Sequence, residues 1–291
     1  MTAGILLRAL RVHQWVKNLL VFVPIVMAHL LTDAHSLLAS GRAFVAFSLL
    51  ASSVYLTNDL FDLEADRAHP HKRHRPLASG ELPVRVALFL IPLLIVLSAA
   101  VAAGLSSEFW AALLGYLVVT FLYSLALKKI IVVDIIALAG LYTLRILAGG
   151  VASGVVVSQW LMAFSMFFFL SLACLKRFSE LRALRLAEEE SSRRRGYRTS
   201  DLEQVSQMGV ACGCLSVLVF ALYLNSHEVT ALYARPITLW LVCPALFYWV
   251  SRMWILAHRG EVSEDPILFA VKDRASYFVG AVVLGIFLVA I

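Results

Sequence analysis

The sequence predicts an all-α integral membrane protein, and three observations predict it. Apolar residues fill 61% of the 291 positions and charged ones only 15%. With a mean hydropathy of +0.84, that composition lies outside the soluble globular range. Runs of about 20 apolar residues, the length a bilayer crossing needs, recur nine times, at roughly 15–31, 43–60, 84–104, 109–127, 130–152, 156–175, 205–225, 237–257 and 275–291. The cations are also one-sided. With a cytoplasmic N-terminus, the opening segment, the 60–85 loop, Lys128 and Lys129, the 176–203 loop and the 252–274 region hold 22 of the 25 Lys and Arg. Arg42 and Arg235 then face out and Arg145 is intramembrane.

By the positive-inside rule this asymmetry predicts a multi-pass protein of the cytoplasmic (inner) membrane, with its N-terminus and charged loops in the cytoplasm. The expected organisation is a single polytopic membrane domain over 1–291, capped by cytoplasmic loops at about 60–83, 176–203 and 258–274. The net charge of +6 is then a topology signal and calls for no nucleic-acid partner. Cys174, Cys212, Cys214 and Cys243 all fall in apolar runs without CxxC spacing, so buried thiols are expected rather than a disulfide framework or a zinc knuckle. The N-terminus lacks a short apolar region followed by a small-residue cleavage site, so the first segment is expected to stay.

Taken in order, the first run is preceded by Arg8 and Arg11 and opens on Trp15, Lys17 and Asn18. An anchor at headgroup level is the plain reading; the functional one has Gln14, Lys17 and Asn18 facing a site, and the two are compatible. The second run ends in the stretch that concentrates chemistry: Tyr55, Asn58, Asp59, Asp62, Glu64 and Asp66, then Lys72, Arg73 and Arg75. If the stretch is helical, Asp59, Asp62 and Asp66 lie within roughly 60° of one another around the axis, with Tyr55 one turn earlier. Converging carboxylates need a cation among them, and hard oxygen ligands suit Mg²⁺, which keeps sites for substrate phosphate. The following cations would hold the remaining phosphate charge. Mg²⁺ on Asp59, Asp62 and Asp66 with a bound diphosphate is therefore the reading, against a charge cluster that only sets topology. His69, His71 and His74 invite zinc, but interleaved Lys and Arg would repel a second cation.

The fourth run ends at Tyr123, Lys128 and Lys129; topology explains the lysines but not the phenol. The fifth places Asp134, Tyr142 and Arg145 on one stripe, with Arg145 some 16 Å deeper than Asp134, a costly arrangement unless both face a cavity or a partner. A structural Arg paired to Asp or to backbone carbonyls is the bland alternative. The small residues of 148–154 predict close helix approach. The sixth run ends in Lys176, Arg177 and Glu180, a second carboxylate and cation cluster, while Arg193, Arg194 and Arg195 suit anionic headgroups. The seventh and eighth runs read as scaffold or groove wall. The loop before the ninth, with a short helix after Pro266, is a connector or a site-closing element.

With these residues in hand, the chain resembles the UbiA superfamily of intramembrane prenyltransferases, through its run Asn58-Asp59-x-x-Asp62-x-x-x-Asp66. More narrowly, the segments 65–76, Gln14–Asn18, Arg145–Gly150 and Lys176–Leu181 resemble its decaprenyl-phosphate phosphoribosyltransferase branch. The resemblance implies nine transmembrane helices around a central cavity open to the bilayer. It also implies Mg²⁺-dependent transfer of a 5-phosphoribosyl group from phosphoribosyl diphosphate to a polyprenyl phosphate, with release of diphosphate. Basic groups at Lys176 and Arg177, where many prenyl-transferring members carry a second aspartate-rich motif, suit the donor's 5-phosphate. Lys72, Arg73, Arg75 and Lys128 would stabilise the departing diphosphate, and Arg145 and Tyr142, or Lys17 and Asn18, would orient the acceptor phosphate. Two rivals stand: prenyl transfer from a polyprenyl diphosphate to an aromatic or other acceptor, and a non-enzymatic lipid carrier or scaffold. A homo-oligomer is compatible with all three.

Overall fold

The computed structural model describes residues 2–68, 72–188, 195–226, 229, 232–262 and 265–291. Among the described residues twelve α-helices follow one another: α1 (Ala3–Ala9), α2 (Val23–Met27), α3 (Ala34–Phe61), α4 (Leu63–Ala68), α5 (Val84–Ala102), α6 (Ser107–Leu125), α7 (Val133–Ser153), α8 (Gln159–Leu186), α9 (Leu202–Leu224), α10 (Val242–Arg259), α11 (Pro266–Ala270) and α12 (Arg274–Ala290). Short 3-10 helices join several of them, and no strand occurs among the described residues.

Among the described residues, seven helical stretches are long and apolar enough to cross a membrane: Ala34–Phe61, Val84–Ala102, Ser107–Leu125, Val133–Ser153, Gln159–Leu186, Thr199–Leu224 and Pro236–Arg259. Seven of the nine runs read from the sequence fall on these stretches. The first and last of the nine runs fall on shorter apolar helices, Val12–Met27 and Arg274–Ala290. The first is short for a physical reason. Pro24 has no N–H to give to the carbonyl four residues back, and the chain runs as a 3-10 helix over Val12–Phe22 before turning α-helical with Pro24 in its first turn. At about 2.0 Å per 3-10 residue and 1.5 Å per α residue, the stretch still reaches about 30 Å.

The chain divides into two compact units. One comprises Met1–Leu125 with Leu144–Val157, and the other Ala126–Thr143 with Ser158–Ile291.

In the first unit the long helix α3 is the spine. Asp33 caps its start by accepting from the Ser36 amide at 2.8 Å, and it buries small residues and serines on more than one side, Ser40, Ala43, Ala46, Ser48, Ala51 and Ser52. Small side chains let neighbours approach closely where lipid gives no hydrophobic drive between helices. The 3-10 helix Val12–Phe22 meets the Ser48 and Ser52 side: Trp15 Nε1 donates to Ser52 Oγ at 3.0 Å and Asn18 Nδ2 to Ser48 Oγ at 3.0 Å. Trp15 is therefore tied into the protein as well as standing near the end of its helix. Gly149 makes a second close approach, since a Cβ there would lie 2.0 Å from the Val21 carbonyl oxygen. Gly149→Ala is expected to overpack this contact at a cost of at least about 1–3 kcal/mol, read as a lower melting temperature in detergent. An unchanged melting temperature would show that the two segments separate freely.

In the second unit α8, α9 and α10 enclose a core of Cys174, Phe178, Val205, Val250, Met253 and Trp254. Trp254 Nε1 donates to Ser171 Oγ at 3.1 Å, and its ring fills the space that Gly209 leaves, where a Cβ would sit 2.1 Å from Cζ2. The α12 start is fixed by Asp273, which accepts both nitrogens of the Arg252 fork at 2.7 and 3.0 Å and the Ser276 amide at 2.9 Å. Burial opposes ionisation of Asp273, but the Arg252 fork and Ser276 outweigh it and hold the carboxyl below its ordinary range.

Candidate active-site clusters

The aspartate stretch is not one continuous helix. α3 ends at Phe61, Asp62 sits at the break with φ −94° and ψ 7°, and α4 starts at Leu63. The break is shallow, because the Asp62 amide still donates to Asn58 O and the Asp66 amide to Asp62 O. Asp59 and Asp66 are both buried, at 5% and 1% exposure, and Asp62 is half-buried. The expectation that three carboxylates converge on a metal is modified accordingly. Among the described residues no three His, Cys, Asp or Glu side chains are gathered as a metal-binding group.

Guanidinium groups instead neutralise the carboxylates. Arg75 Nη1 lies 3.1 Å from Asp59 Oδ1 and 2.6 Å from Asp66 Oδ2. Arg11 Nη2 lies 2.5 Å from Asp59 Oδ1, and its guanidinium carbon is 4.9 Å from the centre of the Tyr55 ring. Arg11 reaches there from a left-handed backbone position, φ 50°, between α1 and the 3-10 helix, a conformation that non-glycine residues seldom adopt. Sequence reading assigned Arg11 to topology alone. The signal that would have found it is the carboxylate itself, since a buried Asp59 demands a cation and the 60–85 loop is not the only source.

The donor set nevertheless fits Mg²⁺. It offers carboxylate oxygens only, and Asp66 Oδ1 is buried without a hydrogen-bond partner, an oxygen whose desolvation a hard cation would offset.

Deeper in the same unit stands a second buried polar group. Arg145 Nε donates to Asn18 Oδ1 at 2.8 Å and Nη2 to Tyr116 OH at 3.1 Å, with Arg145 at 5% and Asn18 at 1% exposure. Lys17 is buried beside Asn18 in sequence at 8%. Arg145 thus has side-chain partners on two other segments, and Tyr116 joins the candidates unannounced by any sequence spacing.

Of the other candidates in this unit, Tyr55 carries the Arg11 contact, Asn58 and Lys72 are half-buried, Tyr123 is half-buried near the α6 end, and Arg73 is exposed with only a 3.5 Å contact to His74. His69 and His71 of the zinc reading lie outside the described residues.

The second unit has its own ionic cluster. Asp134, fully buried, meets Arg177 Nη2 at 2.6 Å and accepts from Tyr197 OH at 2.7 Å. Arg177, 1% exposed, also pairs with Glu180, which Arg195 Nε approaches at 3.2 Å. Tyr197 OH in turn accepts from the Val132 amide at 2.8 Å, and Gly196 packs where a Cβ would be 2.4 Å from the Lys129 carbonyl oxygen. Burial, and then its bond to Asp134, pushes the Tyr197 phenol well above its ordinary pKa, so it stays a donor at any physiological pH. Asp134, Arg177 and Glu180 thus take up one another. Tyr142 stacks on Phe169 at 5.1 Å between ring centres, while Lys128 and Lys176 are half-buried. Arg193 and Arg194 lie outside the described residues.

A helical multi-pass membrane protein with buried carboxylate and guanidinium clusters at its helix ends is the class these observations define. Residues 19–289 match the UbiA prenyltransferase family, and the chain belongs to it. It is 36% identical to the uncharacterized protein y4nM of Sinorhizobium fredii over 98% of its own length, and spans 55% of that relative. It is 33% identical to the decaprenyl-phosphate phosphoribosyltransferase of Mycolicibacterium smegmatis over 92% of this chain and 86% of that one. Its fold matches a UbiA homologue from Archaeoglobus fulgidus bound to DMAPP and Mg²⁺, with a TM-score of 0.71, 21% identity and 96% and 98% of the two chains covered.

Proposed function

We propose that this protein transfers a 5-phosphoribosyl group from phosphoribosyl diphosphate to a polyprenyl phosphate in the membrane, with Mg²⁺ as cofactor. The observation that carries the reading is the cluster at the end of α3, where Asp59 and Asp66 share Arg75 while one buried Asp66 oxygen lacks a partner. Carboxylates to hold a cation and guanidinium groups to hold phosphate are the two components that a diphosphate leaving group requires. Resemblance to phosphoribosyltransferases at 33–38% identity supports the donor and acceptor.

In this reading Asp59, Asp62 and Asp66 would hold the metal, which would supply charge withdrawal from the departing diphosphate. Arg75, Arg11, Lys72 and Arg73 bind the diphosphate oxygens and stabilise the charge that grows on them. Ribose C1 gains positive character as its bond to diphosphate breaks, and an acceptor phosphate oxygen forms the new bond there. That phosphate is anionic at neutral pH, so the chain supplies no general base. Arg145, held by Asn18 and Tyr116, with Lys17 nearby in sequence, orients the acceptor. Lys128 and Lys176 are the second unit's candidates for phosphate contact, and Asp134, Arg177 and Glu180 act there as positioning residues. The N-terminus and the charged loops face the cytoplasm, and the two shorter apolar helices complete nine crossings.

Prenyl transfer is the second reading, favoured by the DMAPP bound in the fold's solved neighbour. Supplying both donors to the purified protein separates the two: label from phosphoribosyl diphosphate enters lipid under the first, and label from a prenyl diphosphate under the second.

A further inference from the structure

We infer that Arg75 is a place-holder for the metal: in the metal-free protein its guanidinium occupies the ground between Asp59 and Asp66, and it moves from the carboxylates to the diphosphate when metal and donor arrive. The inference rests on the metal site proposed above and adds a device that the reaction itself does not require.

Three features of the first unit carry it. A single nitrogen, Arg75 Nη1, contacts both carboxylates, at 3.1 and 2.6 Å. One nitrogen bridging two oxygens from different residues stands where a point charge would, unlike the side-on fork in which a guanidinium serves one carboxylate. Asp66 is 1% exposed and keeps a second oxygen, Oδ1, without a hydrogen-bond partner, so Arg75 satisfies the pair only in part. Arg75 is also the more exposed member, at 28% for its side chain against 6% for Asp59 and 2% for Asp66. The carboxylates are fixed on helix ends, whereas the guanidinium has room to leave.

The physical logic follows from repulsion. Asp59 and Asp66 cannot both stay charged and close in a buried setting without a cation. A tethered guanidinium keeps the arms α3 and α4 in register while the site waits, and its departure is favoured only when a divalent cation replaces its charge and a diphosphate offers it a new anion. Metal alone meets competition, whereas metal with diphosphate does not. Arg11, on the same Asp59 oxygen at 2.5 Å, supports one arm only and does not bridge.

The test uses full-length protein in detergent, Mn²⁺ followed by electron paramagnetic resonance in place of Mg²⁺, and inorganic diphosphate in place of the donor. In Arg75→Gln, Mn²⁺ alone is expected to bind roughly tenfold tighter than in the wild type, because a competing charge is gone, while Mn²⁺ with diphosphate binds several-fold weaker. The variant's melting temperature is expected to fall in EDTA and to recover with saturating Mg²⁺. Unchanged Mn²⁺ affinity, equal weakening with and without diphosphate, or a melting deficit that Mg²⁺ leaves intact would overturn the place-holder. Asp62→Asn separates the layers. If Mn²⁺ binds the wild type and is lost in Asp62→Asn, the metal reading stands whatever Arg75→Gln does. If no Mn²⁺ binding depends on Asp62, the metal reading fails and takes this inference with it.

Discussion

Asp62→Asn is expected to lower Mg²⁺-dependent transfer by at least about a thousand-fold while leaving the protein folded. The substitution removes one charged oxygen donor from the proposed metal set, and charge stabilisation of a leaving group by a metal is worth several kcal/mol, each 1.4 kcal/mol being about tenfold in rate. The break between α3 and α4 is kept because it is shaped by the backbone amide of Asp62, which donates to Asn58 O. An asparagine keeps that amide and adopts the same φ of −94° without strain. Asp59→Asn is the instructive contrast. It would also leave Arg11 and Arg75 short of a partner at a buried position, so activity and stability should fall together. Initial rates at saturating Mg²⁺ and melting by tryptophan fluorescence measure both effects. Activity within tenfold of wild type in Asp62→Asn would remove the metal role of that residue.

Arg177→Met carries the largest expected loss of stability, about 3–5 kcal/mol, because it leaves Asp134 as a fully buried charge without its 2.6 Å partner. Both side chains are at 1% exposure or less, so solvent cannot take over. Tyr197 still donates to Asp134 and Arg195 Nη1 stands 3.8 Å from its Oδ2, but neither a neutral hydroxyl nor that longer contact replaces the 2.6 Å pair with Arg177. The double variant Asp134→Leu with Arg177→Met is expected to recover much of the loss, since exchanging a buried ion pair for apolar groups is often close to neutral. Melting temperatures at one scan rate in one detergent test this. Strict additivity of the two single losses would show that the pair is not coupled.

The sequence made the membrane class and most of the helices legible because bilayer crossing imposes a length and an apolar composition that any reader can count. Its aspartates and Arg145 stood out for the related reason that charge at membrane depth is costly. Partner identity was not legible. Arg11 meets Asp59 across 48 residues, Tyr197 meets Asp134 across 63, and Arg145 meets Asn18 across 127, distances over which helical periodicity says nothing. Three aspartates at helical spacing predict one continuous helix, yet the chain has a one-residue break at Asp62, and no composition signal marks a break that keeps its hydrogen bonds. The first apolar run looked like an ordinary α-helix, whereas Pro24 and the Ser48 and Ser52 contacts favour a 3-10 path for much of it.

The reaction is tested by transfer with the purified protein in lipid nanodiscs with Mg²⁺, supplied with ribose-labelled phosphoribosyl diphosphate and a polyprenyl phosphate. The phosphoribosyl reading predicts ribose label in the organic phase, dependent on both lipid and Mg²⁺ and absent in Asp62→Asn. Label that stays in water, while a labelled prenyl diphosphate is transferred to an aromatic acceptor in a parallel tube, would contradict it and assign the protein to prenyl transfer.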